Sequence, residues 1–279
     1  MPTGILALIS LGILSAAIGV WLFAPTARGA AAARAHLGTH RLALASLVVV
    51  LAINSIVTLP IAGRVRAEDG FSMTTFVVAA LATQLPMLLV VFARAVAPGA
   101  VSLQELGLRA LPVGRAISWG VLVGFATLAL SAVIGTILQQ LGLSHQQLEQ
   151  FEFLLAASPF EFLLIATTAA ILVPFIEELF FRGYLFGLYR QRKPLWMAYL
   201  ASGLLFALLH ALPIATGAGQ DAGATIPRVI GITIQVFALG TLLAWAYQRT
   251  GSLYPGMVAH GLNNGLVFAL LYLVPMPLT

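Results

Sequence analysis

Ile171-Leu-Val-Pro-Phe-Ile-Glu177-Glu178-Leu-Phe-Phe-Arg182 carries two adjacent carboxylates and an arginine inside an otherwise apolar run. A carboxylate at bilayer depth is costly, so one that is kept there faces a cavity or a partner and serves a purpose. The chain has only nine Asp and Glu in 279 residues, which makes two side by side the first place to look for function. Around that stretch the composition is that of a membrane protein. Hydrophobic residues make up 60% and charged residues 8%, with a mean hydropathy of +1.00. Soluble domains run at about 25% charged residues. The fold class is therefore all-α, a polytopic membrane bundle whose apolar runs cross a ~30 Å core at ~20 residues each.

Working outward, eight spans are predicted, at about 4–24, 42–62, 74–97, 118–141, 159–188, 195–212, 226–248 and 252–275. The first lacks a basic leading segment and reads as a retained helix rather than a cleaved signal. One integral membrane domain, 1–279, accounts for the chain. There is no internal repeat of the transporter kind. With no cysteine there are no disulfides, thiolate metal sites or cysteine nucleophile. The net charge of +5 is not a nucleic-acid signature, because the basic residues sit in short loops. Arg28, Arg34, Arg41, Arg94, Arg109, Arg115, Arg190, Arg192, Lys193 and Arg249 fall in odd loops, against Arg64, Arg66 and Arg228 in even ones. That asymmetry puts odd loops in the cytoplasm and both termini outside. Segments 101–116 and 143–157 mix apolar and polar residues, as interfacial helices do; plain connecting loops fit them equally well.

Four more polar groups sit at membrane depth: Arg182, His210, His260 and Asn264. Glu178 and Arg182 are four apart and stack on one helical face, where they can pair. Glu177 points about 100° away and is left for another partner. His260 and Asn264 again share a face. From the turn Arg190-Gln-Arg-Lys-Pro194, Glu177 lies roughly 20 Å along one helix and His210 roughly 24 Å along the next. His260 lies about 14 Å beyond the turn at Gly251. The four groups are thus expected to meet in the cytoplasmic half of the bundle, within about two helical turns. A glutamate and a histidine sharing a water can deprotonate it. A second histidine and an asparagine amide can hold an oxyanion. The competing account of any one membrane histidine or asparagine is interhelical glue, worth about 0.6 kcal/mol. Gly183 and Gly187 read as a close-approach site for another helix. Phe206, four before His210, reads as packing that fixes the imidazole, and Tyr184 and Tyr189 as interfacial anchors.

At these residues the chain resembles the CAAX protease and bacteriocin-processing (CPBP, or Abi) family of intramembrane endopeptidases. Glu177-Glu178-Leu-Phe-Phe-Arg182 is similar to its Glu-Glu-x-x-x-Arg motif, Phe206-Ala-Leu-Leu-His210 to Phe-x-x-x-His, and His260-Gly-Leu-Asn-Asn264 to His-x-x-x-Asn. The resemblance implies about eight helices, a protease core over 159–275 and variable N-terminal helices over 1–158. It implies that Glu177 and His210 activate the water, His260 and Asn264 form the oxyanion site, and Glu178, Arg182 and Phe206 support them. It implies no metal, and a peptide or membrane-protein substrate, lipidated or membrane-associated. The arginine and alanine usage suggests a bacterial plasma membrane. The alternatives are a zinc hydrolase on Glu177, His210 and His260, a serine protease using Ser202, a proton-coupled transporter, and a non-catalytic immunity or scaffolding protein.

Overall fold

The computed structural model describes residues 30–67, 73–143, 157–215 and 222–273, together with Ile18, Trp21 and Leu154. Its described residues form eight helices and no strand. These are α1 (Ala30–His36), α2 (His40–Ala67), α3 (Met73–Val91, running on through a π-helical turn at Phe92–Val96) and α4 (Val113–Gln140). Then follow α5 (Pro159–Tyr189), α6 (Leu195–Ala215), α7 (Ala222–Thr250) and α8 (Tyr254–Leu273). Helices α3 to α8 are six candidate membrane spans by length and apolarity. Within α2 the apolar part described is Arg41–Asn54. Apart from Ile18 and Trp21, the expected span at 4–24 lies outside the described residues, as does most of the segment 143–157.

Helix α5 organises the bundle. Its start is fixed by Ser158, whose hydroxyl accepts from the Glu161 amide while the Glu161 carboxylate accepts from the Ser158 amide at 2.8 Å. Pro159 fills the first turn, where its missing N–H costs nothing. Its first half turns Phe160, Leu163 and Ile171 outward, at 73%, 63% and 65% exposure, as a lipid-facing stripe would. From Ile176 to Tyr189 every side chain is buried. A helix enclosed on all sides must be ringed by others. Helix α3 packs on it from one side, α6 and α7 from another, and α8 along its first half. Helices α4 and α8 pack together, as do α6 and α7.

Helix α5 is not uniformly α-helical. It widens to π geometry at Thr168–Leu172 and at Glu178–Phe186. The first widening abuts Pro174, which has no amide to give its helix. A widened turn displaces backbone carbonyls from their usual donors, and neighbouring helices must supply new ones. Asn264 of α8 donates to the Ala169 carbonyl at 2.9 Å. Ser202 of α6 donates to the Phe181 carbonyl at 3.0 Å.

Two expectations change, and one open choice is decided. Tyr184 and Tyr189 are not interfacial anchors: both are 3% exposed in the core, and the Tyr184 hydroxyl is 3.1 Å from that of Ser46 on α2. The enclosure of α5 on every side explains this. Gly183 admits a loop rather than a helix, since a Cβ there would stand 2.6 Å from the Leu106 carbonyl, whereas Gly187 admits helix α7 through the Tyr247 hydroxyl, as expected. Of the two readings of segment 101–116, interfacial helix and connecting loop, the structure gives the loop up to Val113. It is a series of turns that ends where α4 begins, and Leu106 is fully buried within the bundle.

Candidate active site

Glu177 closes a regular α-helical turn of α5, and Glu178 opens the π segment that follows. Both carboxylates point inward, at 4% and 0% exposure. Arg182 is also fully buried, and its Nη1 lies 2.9 Å from Glu178 Oε1. Its Nη2 donates to the Gly240 carbonyl of α7 at 3.1 Å. Pairing plus a carbonyl acceptor offsets part of the hydration a buried guanidinium loses, although Nε has no hydrogen-bond partner among the described residues. The expected four-residue pair therefore forms, and it survives the change of helical pitch.

His260 comes in from α8, roughly 9 Å from the start of that helix. It is 3% exposed and stands between the two carboxylates. Its Nδ1 is 3.2 Å from Glu178 Oε1 and its Nε2 is 3.7 Å from Glu177 Oε2. The donor on Nδ1 fixes the ring and directs Nε2 at Glu177. Gly256, one turn earlier on α8, makes this approach possible. A Cβ at that position would stand 2.7 Å from Glu178 Oε2.

Phe206 of α6 is the hub for the remaining groups. The Arg182 guanidinium lies 4.4 Å from its ring centroid, the His210 ring 4.5 Å and the His260 ring 5.9 Å at 88°. His210 itself is partly buried, and its Nδ1 is 2.9 Å from the Phe206 carbonyl. A carbonyl can only accept, so Nδ1 carries the proton there and Nε2 keeps its lone pair. That is the tautomer of a base. Asn264, in contrast, spends an amide proton on the Ala169 carbonyl.

Glu177, Glu178, Arg182, Phe206 and His260 thus form one contiguous cluster from α5, α6 and α8. His210 joins it through the Phe206 ring, and Asn264 sits against the first π segment of α5. Two further polar residues were not singled out from the sequence. Gln84 of α3, 3% exposed, donates from Nε2 to Glu177 Oε1 at 3.0 Å. Asn263 donates to the Thr127 hydroxyl at 2.5 Å and to the Ala259 carbonyl at 2.8 Å, tying α8 to α4. A lone amide in an apolar span was the available signal for both.

Glu177 Oε2 and Glu178 Oε2 are buried without a hydrogen-bond partner among the described residues. An unpaired buried carboxylate oxygen is costly and marks a place built to receive a donor. Ser202 is committed to the Phe181 carbonyl and is 1% exposed, which is a structural role for its hydroxyl. Among the described residues no three His, Asp or Glu side chains are grouped as metal ligands.

The family described as Rce1-like, type II CAAX prenyl endopeptidase Rce1-like, matches residues 159–266. That range takes in α5, α6, α7 and the part of α8 bearing His260 and Asn264. No curated protein and no solved structure matches the chain.

Proposed function

We propose, from the match of residues 159–266 to the Rce1-like family, that the chain is an intramembrane endopeptidase that uses Glu177 as its base. The observation that carries this reading is the buried Glu177 Oε2, without a hydrogen bond among the described residues, facing His260 Nε2 at 3.7 Å. In the proposed reaction Glu177 takes a proton from a water, helped by His210, whose Nε2 is free to accept. The water oxygen bonds to the scissile carbonyl carbon, and the carbonyl becomes an oxyanion. His260, in the form that carries protons on both ring nitrogens, donates its Nε2 proton to that oxyanion while Nδ1 stays on Glu178, and the second amide proton of Asn264 joins it. The C–N bond then breaks, and the amine leaves with the proton that Glu177 received. Glu178 and Arg182 hold the helix rotation and the His260 ring. The water-poor surroundings strengthen every one of these interactions.

The substrate is a membrane-associated peptide or protein, lipidated or not, and the bilayer is the other partner. The site lies in the cytoplasmic half of a bacterial plasma membrane, below the basic turn Arg190–Lys193. Water is the nucleophile, and no cofactor takes part. Glu177→Ala and His210→Ala should each abolish cleavage, by about 10³-fold or more, while the protein still folds and inserts. Full biological activity in both variants would favour a binding or immunity role. Metal analysis of pure protein, with cleavage measured in chelator, separates this reading from a zinc hydrolase; loss of activity with loss of zinc would overturn the water-and-glutamate scheme.

A further inference from the structure

We propose that Gln84 is the positioning residue of the Glu177 carboxylate, an assignment that rests on the peptidase reading of Glu177. Helix α3 turns Leu85 and Leu89 outward at 53% and 38% exposure, and buries Gln84, Met87 and Val91 at 3%, 0% and 0%. Gln84 is thus a polar residue in an inward stripe that is otherwise apolar. Burying an amide there is unfavourable unless its hydrogen bonds are met. Pro86, two residues on, already removes one rung of the helix ladder.

The contact itself is specific. Glu177, when ionised, can only accept, so the NH₂ end of the amide must face it. Nε2 then donates to Glu177 Oε1 at 3.0 Å. The effect is to tie down one carboxylate oxygen and leave the other, Oε2, aimed at His260. Gln84 Oε1 is also buried without a hydrogen-bond partner among the described residues. Two side chains in contact therefore each present one unsatisfied acceptor. Gln84 comes from a helix outside the matched range 159–266, so the N-terminal half of the bundle completes the site.

The test uses full-length protein in liposomes, with Gln84→Met to keep the volume and remove the donor. A second variant, Gln84→Asn, keeps the amide but withdraws it by one methylene. The first readout is modification of Glu177 by a hydrophobic carbodiimide, followed by mass spectrometry. That reagent reacts with the protonated carboxyl, so loss of the amide donor should increase labelling of Glu177 several-fold at neutral pH. The second readout is cleavage of a quenched fluorescent peptide bearing a prenylated C-terminal tetrapeptide. Here kcat should fall about 10- to 100-fold, the range carried by a hydrogen bond to a charged group, with KM changed less than about twofold. A purely structural Gln84 would lower the thermal midpoint and leave labelling and kcat per folded molecule at wild-type values; that result overturns the assignment. If the wild type cleaves nothing, or Glu177→Gln cleaves as well as it does, the peptidase reading fails and labelling alone decides the role of Gln84.

Discussion

Gly256 shows how little room the buried charges leave. Its missing side chain is what lets α8 lie against the Glu178 carboxylate, where a Cβ would come within 2.7 Å of Oε2. Gly256→Ala should push that carboxylate off His260 and Arg182, lowering stability by about 1–3 kcal/mol and reducing activity. Gly135→Ala is the matched control. Nothing lies within 4 Å of a Cβ there, and in a helix the extra methyl should stabilise by about 0.5–1 kcal/mol. Thermal unfolding of both in detergent checks the contrast. At this scale the sequence was most informative. Glu177, Glu178 and Arg182 stood out because a charge in an apolar run needs a reason, and Glu178 does pair with Arg182 at 2.9 Å. Gln84 did not stand out, because a neutral amide in a span carries too small a penalty to signal a role. Tyr184 gives a misleading signal for a related reason: a tyrosine near a helix end suits the membrane interface, and only the enclosure of α5 shows otherwise.

At the scale of elements, the two π segments of α5 explain why polar residues of α6 and α8 point where they do. Each widened turn leaves a carbonyl that a neighbour satisfies, Phe181 by Ser202 and Ala169 by Asn264. Ser202→Ala should therefore destabilise the protein by about 1–3 kcal/mol, the cost of stranding a buried acceptor, while cleavage per folded molecule persists. Abolished cleavage in a variant that folds normally would revive a serine nucleophile. Six of the spans were legible from length and apolarity: 195–212 matches the membrane-spanning part of α6, and 74–97 and 252–275 fall within a few residues of α3 and α8. The π turns were not legible. Pro174 marks the first of them locally, but the donors that satisfy the freed carbonyls come from other helices and are not a local signal. Depth counting at 1.5 Å per residue nonetheless brought Glu177 and His260 to compatible levels, because widened turns disturb the rise only slightly.

For the whole molecule, the loop between α3 and α4 is a strap across one end of the bundle. Arg109 Nε donates to the Gly251 carbonyl at 2.6 Å, and Leu253 donates to the Gly107 carbonyl at 2.9 Å. Arg34 of α1 pairs with Glu105 at 2.9 Å. The Ser102 amide and then Arg34 hold the Glu105 carboxyl below its ordinary range. A lowered carboxyl stabilises above its unfolded value and loses that contribution as pH falls through the folded one. With the pair half-exposed and screened, the effect is at most about 1 kcal/mol. Glu105→Gln should thus lower the thermal midpoint slightly at pH 7, and the difference should vanish once the pH falls below the carboxylate range.

What unites the three scales is one arrangement: distant parts of the chain close around Glu177 and leave one of its oxygens ready for a proton. The most direct measurement is mass spectrometry of C-terminal peptides from membranes of cells making the wild type or Glu177→Ala. Shortened C-termini that appear with the wild type and disappear with Glu177→Ala are the predicted result. Identical C-termini in both membranes would contradict the account.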